Sequence, residues 1–163
     1  MTPLLNEVQA MQNPALGAVL IWRFACGYSP KRENGRGIPV PLAFLVLPVV
    51  LHGRTRAGVD STNLASGFRK FEDKFEEHAD LLLAINHRTF AMRPLSLRSV
   101  SIALAAGLLT LLPEQAALWP RTYARAAGAT NSMVGLMKAA EKLGTWCAQL
   151  SLFEVSGILR VEF

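Results

Sequence analysis

The sequence predicts a mainly α-helical protein, a helical bundle with a winged-helix-like module that contains one small β-hairpin, and a C-terminal helix followed by a short strand. Apolar residues recur at helical spacing along most of the chain. Capping residues precede several of these segments, and one pair of short apolar runs flanks the turn residues 113–115. The length of 163 residues suits one compact domain, with candidate sub-modules at 1–67, 68–120 and 121–163.

The N-terminal part is predicted to contain two buried helices. Asn13 and Pro14 suit the N-cap and first position of a helix that ends near Gly27. After a polar loop, Pro48 lies inside the apolar run PVPLAFLVLPVVLH and predicts a kink or stop in a buried helix rather than a strand. The polar residues 60–62 then predict an N-cap for the following helix.

The segment FRKFEDKFEEHADLLLAI predicts one amphipathic helix. Its apolar positions are Phe68, Phe71, Phe75, Ala79, Leu82 and Leu83. The carboxylates between them invite a metal or acid/base interpretation. They alternate with Lys70 and Lys74 at intervals that suit pairs three or four residues apart, so a solvated helix face is the favoured interpretation.

The span Phe75–Pro120 resembles a winged helix-turn-helix, because a helix, a second helix and a hairpin follow one another. Ser96 is predicted to cap the second helix, and the hairpin is LLTLLPEQAALWP. Arg98 is the only charged residue in LRSVSIALAAGLL, whereas DNA recognition helices need donors that reach base edges. The module is therefore better suited to binding protein than to reading a DNA sequence.

The C-terminal part is predicted to begin with a linker over residues 121–131. Asn131 or Ser132 would cap a helix that runs to about Gln149. Its apolar stripe contains Met133, Met137, Ala140, Leu143, Trp146, Cys147 and Leu150. The tail LFEVSGILRVEF mixes a helical turn with a strand-like RVEF, and its apolar character predicts that it is docked on the rest of the protein.

The composition predicts a protein–protein interface. The chain is 51% hydrophobic and 18% charged, whereas an average domain is about 25% charged, so some apolar residues should face a partner. Lys138, Lys142 and Trp146 on the last long helix are the candidate interface residues. For Trp146, as for Trp22 and Trp119, core packing and an interface anchor both remain open.

Two features predict a cytoplasmic protein without a membrane segment. The most apolar runs, 40–51 and 101–113, are each about a dozen residues long, whereas a spanning helix needs about 18 to 20. The first residues contain Glu7 and no basic stretch, so they do not resemble a signal peptide. Cys26 and Cys147 are accordingly expected to be buried free thiols.

The net charge of +5 permits contact with nucleic acid or with an acidic partner. The basic residues are spread thinly along the chain. One group of them would form the basic face of an alternative function, a winged-helix DNA-binding regulator. These candidate DNA contacts are Arg88, Arg93, Arg98, Arg121 and Arg125.

A search for catalytic and ligand motifs in the sequence finds none. H-E-x-x-H, C-x-x-C, the phosphate-binding G-x-x-x-x-G-K-[ST] and G-x-S-x-G are all absent. We therefore predict no catalytic, cofactor-binding or metal-binding residue. The polar cluster Asn86–Arg88 suits a helix C-terminus better than a contact site, and an enzyme with a scattered active site is a third, weaker alternative.

The order of the motifs resembles a known family, the middle component of bacterial three-component ABC (ABC-3C) systems. The carriers are NPALGAVLIWRFACGY, PLAFLVLPVVLH, GFRKFEDKF with LLLAINHR, LSLRSVSIALAAGLL and the terminal KAAEKLGTWCAQLSLFEVSGILRVEF. The resemblance implies a non-enzymatic adaptor between an SMC- or Rad50-like ABC ATPase and an effector-bearing third subunit, in a Lamassu-like defence system against phages or plasmids. It also implies that ATP and Mg²⁺ belong to the ATPase and that DNA is contacted through the complex.

Overall fold

The computed structural model describes residues 13–30, 36–75, 78–124 and 128–163, and it confirms the mainly α class. One antiparallel sheet of three short strands accompanies the helices. The elements in chain order are α1 Pro14–Tyr28, β1 Ile38–Pro39, α2 Val40–Ala43, α3 Val46–Val50, α4 Gly53–Asp60, a 3₁₀ turn Leu64–Ser66, α5 Gly67–Asp73, α6 Ala79–Ala91, α7 Arg93–Ala105, β2 Leu109–Leu112, a 3₁₀ turn Pro113–Gln115, β3 Ala117–Pro120, α8 Asn131–Cys147 and α9 Leu152–Leu159.

Helix α1 is the centre of the fold. The Asn13 side-chain oxygen accepts hydrogen bonds from the backbone N–H groups of Ala15 and Leu16, at 3.1 and 3.2 Å, which confirms the predicted cap. The helix packs chiefly against α8 on one side and α7 on the other. Most of its residues are buried, so its sequence is apolar all round rather than amphipathic.

Helices α1 and α8 cross with their backbones in contact. A Cβ atom on Gly27 would lie 2.1 Å from the carbonyl oxygen of Glu141, and one on Gly144 would lie 2.1 Å from that of Phe24. Thr145 Oγ1 donates to the carbonyl of Gly27 at 3.3 Å across the same crossing. Only glycine fits at these two positions, because the opposing atoms belong to helical backbone that has no freedom to move aside.

The apolar run after residue 37 is broken into short pieces, as predicted. Strand β1 leads into α2, and α3 follows after an interruption at Phe44 and Leu45. The interruption has a simple cause, because the ring of Pro48 would clash with the carbonyl of Phe44 in a continuous helix. Within the described residues no single helix could cross a bilayer. By length and composition alone, the two segments Val40–Val50 and Gly53–Asp60 together would be long and apolar enough to span a bilayer, although the chain bends by 99° between them.

Three predictions about helix boundaries are wrong. Residues 60–62 end α4 instead of capping a later helix, and Thr62 Oγ1 donates back to the Gly58 carbonyl at 2.8 Å. The single helix predicted over 68–85 is two helices, α5 and α6. Ser96 is buried inside α7, which begins at Arg93, because Pro94 in the first turn already starts the helix there.

The predicted hairpin is confirmed. Strands β2 and β3 pair antiparallel, and the turn ends at Ala116, whose φ of 47° is left-handed. Strand β3 also pairs with β1 in the register Ile38 with Leu118, so the strand order is β1-β3-β2. Helix α7 packs mainly on α1 and only slightly on α6. The order helix, helix, hairpin is present, and the winged-helix assignment of Phe75–Pro120 stays a prediction.

The C-terminus is docked, as predicted, but without a strand. Helix α9 begins with a capping box between Ser151 and Glu154. It ends at Arg160, whose φ of 53° turns the chain back. Ser156 Oγ then donates to the carbonyl of Val161 at 2.7 Å, and Val161 is buried. The prediction that RVEF forms a strand is wrong, because Arg160 caps α9 and the carbonyl of Val161 is bonded to Ser156 of that helix.

Candidate partner-binding groove

One face of α8 forms the floor of an open groove of about 780 Å³. The floor residues recur at intervals of three and four, which places them on one side of the helix. Side chains from α1 and from the 3₁₀ turn after α4 form the walls. The lining residues are Arg23, Leu64, Val134, Met137, Lys138, Glu141, Lys142 and Thr145.

The two halves of α8 are buried to different degrees. Thr130 Oγ1 accepts from the Met133 N–H at 3.3 Å, so Thr130 is the N-cap, one residue before the predicted Asn131 or Ser132. In the N-terminal half, Val134 and Met137 are only half-buried. In the C-terminal half, the helix is sealed against the core from Ala139 to Cys147 on its inner face. The groove therefore begins over the half of α8 that the described residues leave more exposed, and it continues along the outer face of the C-terminal half as far as Thr145.

An ion pair joins α1 to α8 at the edge of the groove. The Arg23 guanidinium donates to the Glu141 carboxylate. The same guanidinium carbon lies 5.2 Å from the ring centre of Trp22, which is a favourable cation–π distance. The Glu141 side chain remains 45% exposed. The pair is therefore partly buried, with the Arg23 side chain only 17% exposed, and it orients the guanidinium at the edge of the groove.

Lys142 has a structural role inside the groove. Its ammonium group donates to the carbonyls of Val59, Asp60 and Thr62, at 3.2, 3.4 and 3.1 Å. Carbonyls at a helix C-terminus lack partners within the helix and carry partial negative charge. The ammonium therefore caps α4 from a distant part of the chain. Its predicted role as a partner contact is untested, and its donors are already engaged.

Trp146 is a core residue, which corrects its assignment to a partner interface. It is fully buried, and its indole N–H donates to the carbonyl of Leu64 at 2.9 Å. Its ring centre lies 5.7 Å from that of Phe71. The indole bond and the Lys142 cap together hold segment 59–64 against α8. The Leu64 side chain points outward and is 52% exposed, so this segment presents an apolar wall to the groove.

Of the three predicted interface residues, Lys138 is the one at the open surface. Within the part of the chain that the structure describes, no carboxylate lies at ion-pair distance from its ammonium. Sequence reasoning missed Arg23 and Leu64. Both residues lie more than 60 positions before α8 in the sequence and reach the groove only through the folding of α1 and of the turn after α4, so no local sequence pattern could have indicated them.

Four of the five arginines proposed for DNA contact lie within the described residues, on helices α6 and α7 and directly after strand β3. Arg88 is half-buried, and its Nε donates to the carbonyl of Pro48 at 3.2 Å. Arg93 lies over the ring of Phe90 at 5.0 Å. Arg98 and Arg121 are exposed. Arg125 lies outside the described residues. Arg88 thus connects α6 to α3, and the DNA role of all five arginines stays a prediction.

Both cysteines are free and buried, as predicted. Burial raises the pKa of the Cys26 thiol to about 11, with Arg23 lowering it and Glu141 raising it by smaller amounts. Burial also raises the pKa of Cys147. Thiols in this state are poor nucleophiles, because the thiolate is the reactive form. In the described ranges no group of three or more His, Cys, Asp or Glu residues could hold a metal ion.

Comparison with known proteins agrees with the resemblance found in the sequence. The whole chain, residues 1–163, matches the family model described as MC3: ABC-three component (ABC-3C) system Middle Component 3. No curated protein and no solved structure matches.

Proposed function

Because the chain belongs to the ABC-three component (ABC-3C) system Middle Component 3 family, we propose that it is a non-catalytic adaptor of a bacterial defence complex. It would join an SMC- or Rad50-like ABC ATPase to an effector-bearing third subunit in the cytoplasm. ATP and Mg²⁺ would bind to the ATPase subunit. Any contact with DNA would be made through the complex.

The observation that supports the adaptor role is the groove over α8. It combines half-buried apolar side chains with charged groups at its rim, the composition that protein interfaces use. The wall formed by segment 59–64 is held by the Lys142 cap and the Trp146 hydrogen bond. A surface that is formed before binding loses less conformational freedom when a partner arrives, which favours affinity.

The adaptor role is tested by co-expressing the chain with the gene products of the other two components of its ABC-three component system. An affinity tag on one subunit and size-exclusion chromatography then report on the complex. We expect this chain to co-elute with both products in fixed proportion, and the purified chain to show no nucleotide hydrolysis of its own. A stable monomer that binds neither product would refute the proposal.

A DNA-binding test on the isolated chain separates the adaptor from the winged-helix regulator. Binding that weakens steeply between low and moderate salt would indicate phosphate contacts made by this chain. Under the adaptor proposal, we expect DNA binding only after the ATPase subunit is added.

A further inference from the structure

We propose that the groove over α8 receives an acidic amphipathic helix contributed by one of the partner subunits, an inference that rests on the adaptor role proposed above. The argument uses the shape of the floor, its apolar strip and the balance of charge around it.

The shape of the floor fits one helix lying along another. Its residues run from Val134 to Thr145 on one face of α8, a length of roughly 17 Å or three helical turns. An amphipathic helix in an apolar groove is a common way for a protein to recognise a peptide segment, with anchors about three or four residues apart. A strand would need a sheet edge to pair with, and the floor here is helix backbone whose hydrogen bonds are already made.

The apolar strip gives the partner helix its anchoring surface. Leu64 from the wall and Val134 and Met137 from the floor all line the groove. Leu64 is more than half exposed in the free chain, and the other two are half-buried. Covering such side chains is favourable by about 25 cal/mol for each Å² removed from water. The unbranched methionine also adapts its shape to different neighbours.

The charge balance favours acidic residues on the polar edge of the incoming helix. Three cations, Arg23, Lys138 and Lys142, line the groove beside one carboxylate, Glu141. Arg23 is paired with Glu141, whereas Lys142 is bound by neutral backbone carbonyls and forms no ion pair with a carboxylate of the described residues. Lys138 pairs with no carboxylate of the described residues. A carboxylate on the partner would be attracted to these two ammonium groups, and a basic helix would be repelled.

The experiment measures the binding of the full chain to each of the two proposed partners in purified form, the ABC ATPase and the third subunit. Two groove variants, Leu64→Asp and Lys138→Glu, are compared with Arg54→Glu, which makes the same charge change as Lys138→Glu on an exposed residue of α4 outside the groove. We expect each groove variant to raise the Kd for one subunit at least tenfold, and the control to leave it within twofold. All three side chains are exposed, so unfolding midpoints close to that of the wild type verify that the variants fold.

Zero-length carbodiimide coupling tests the acidic chemistry directly, because it joins an amine to a carboxylate that already lies beside it. We expect mass spectrometry to find an amide between Lys138 and an Asp or Glu in a helical segment of the partner. Tighter binding by Lys138→Glu would mean a basic partner and would overturn the proposal. Unchanged binding by both groove variants would do the same while leaving the adaptor role intact, whereas failure of the wild type to bind either subunit would refute the adaptor role itself.

Discussion

The two halves of α8 belong to one helix but differ in what covers them. In the C-terminal half, Gly144 lies against the backbone of α1, and Trp146 and Cys147 are fully buried. In the N-terminal half, Val134 and Met137 are half-buried and Lys138 is exposed. Among the described residues, the inner face of the C-terminal half is closed, whereas the N-terminal half is more exposed where the groove begins.

The difference separates the requirements of folding from those of binding. In the closed half, Gly144 lies so close to the backbone of α1 that even one added methyl group would clash. Close packing therefore limits which residues this half can contain. The open half is held at its N-terminus by one side-chain cap and leaves its apolar residues only partly covered. We infer that substitutions in the closed half change stability, and that substitutions in the open half change binding.

The largest effect is expected from Gly144→Ala in the closed half. The new methyl group would lie 2.1 Å from the carbonyl oxygen of Phe24, which belongs to helical backbone. Overpacking of this kind costs typically 1–3 kcal/mol and occasionally more, so we expect the free energy of unfolding to fall by about 3 kcal/mol in urea denaturation.

Gly135→Ala is the matched control in the open half of the same helix. Apart from its immediate neighbours and the local helix backbone, no atom of the described residues lies within 4 Å of the added Cβ, and alanine favours a helix interior by about 0.8–1 kcal/mol over glycine. We expect a small gain in stability. An equal loss at both positions would contradict the division of α8 into two halves.

A smaller effect is expected from Lys142→Met, on the outer face of the C-terminal half. The methionine keeps the length of the side chain but removes the donors to the carbonyls of Val59, Asp60 and Thr62. Hydrogen bonds that involve a charged group contribute about 1.5–3 kcal/mol. Because Lys142 is only partly buried, we expect a loss of about 1–2 kcal/mol in thermal or urea unfolding.

The same variant should also loosen the wall of the groove. Hydrogen exchange of the amides in segment 59–64 would report this change, and we expect faster exchange in Lys142→Met than in the wild type. Lys138→Met, four residues earlier, provides the control and should leave both stability and exchange unchanged.

The smallest effect on stability is expected from Val134→Cys. This variant also allows the reactivity of a thiol in the open half to be compared with that of Cys147 in the closed half. A thiol-specific reagent should modify an introduced Val134→Cys in the open half quickly, whereas Cys147 in the closed half should react only on unfolding. Rapid native labelling of Cys147 would show that the closed half opens.

Stability should also fall at alkaline pH, because the two buried thiols hold their protons more tightly in the folded protein than in the unfolded chain. Burial raises the pKa of Cys26 from 9.0 to about 11 in the folded protein, and burial of Cys147 acts in the same direction. The folded state therefore binds protons more tightly, and this stabilisation is complete below pH 9 and is lost as the pH rises toward 11. We expect urea midpoints to decline over that range, and less steeply in Cys26→Ala.

The sequence was sufficient for the helical class, the cap at Asn13, the break beside Pro48, the hairpin and the buried thiols. These features depend on local chemistry, because caps, proline and hydrophobic periodicity act within a few residues. The order of its motifs also resembled the middle components of ABC-three component systems, and the family match agrees with this resemblance. The helix predicted over 68–85 was wrong, since the apolar period was continuous there and the break between α5 and α6 left no local signal.

Only the tertiary structure decided what each side chain of α8 contacts. Lys138, Lys142 and Trp146 lie four residues apart and looked alike as interface candidates. The fold assigns them to open surface, a helix cap and the core. The physical reason is that the partners of Lys142 and Trp146 are carbonyl oxygens about 80 residues earlier in the chain. Sequence periodicity describes a helix face, but which face is covered depends on elements that arrive from elsewhere.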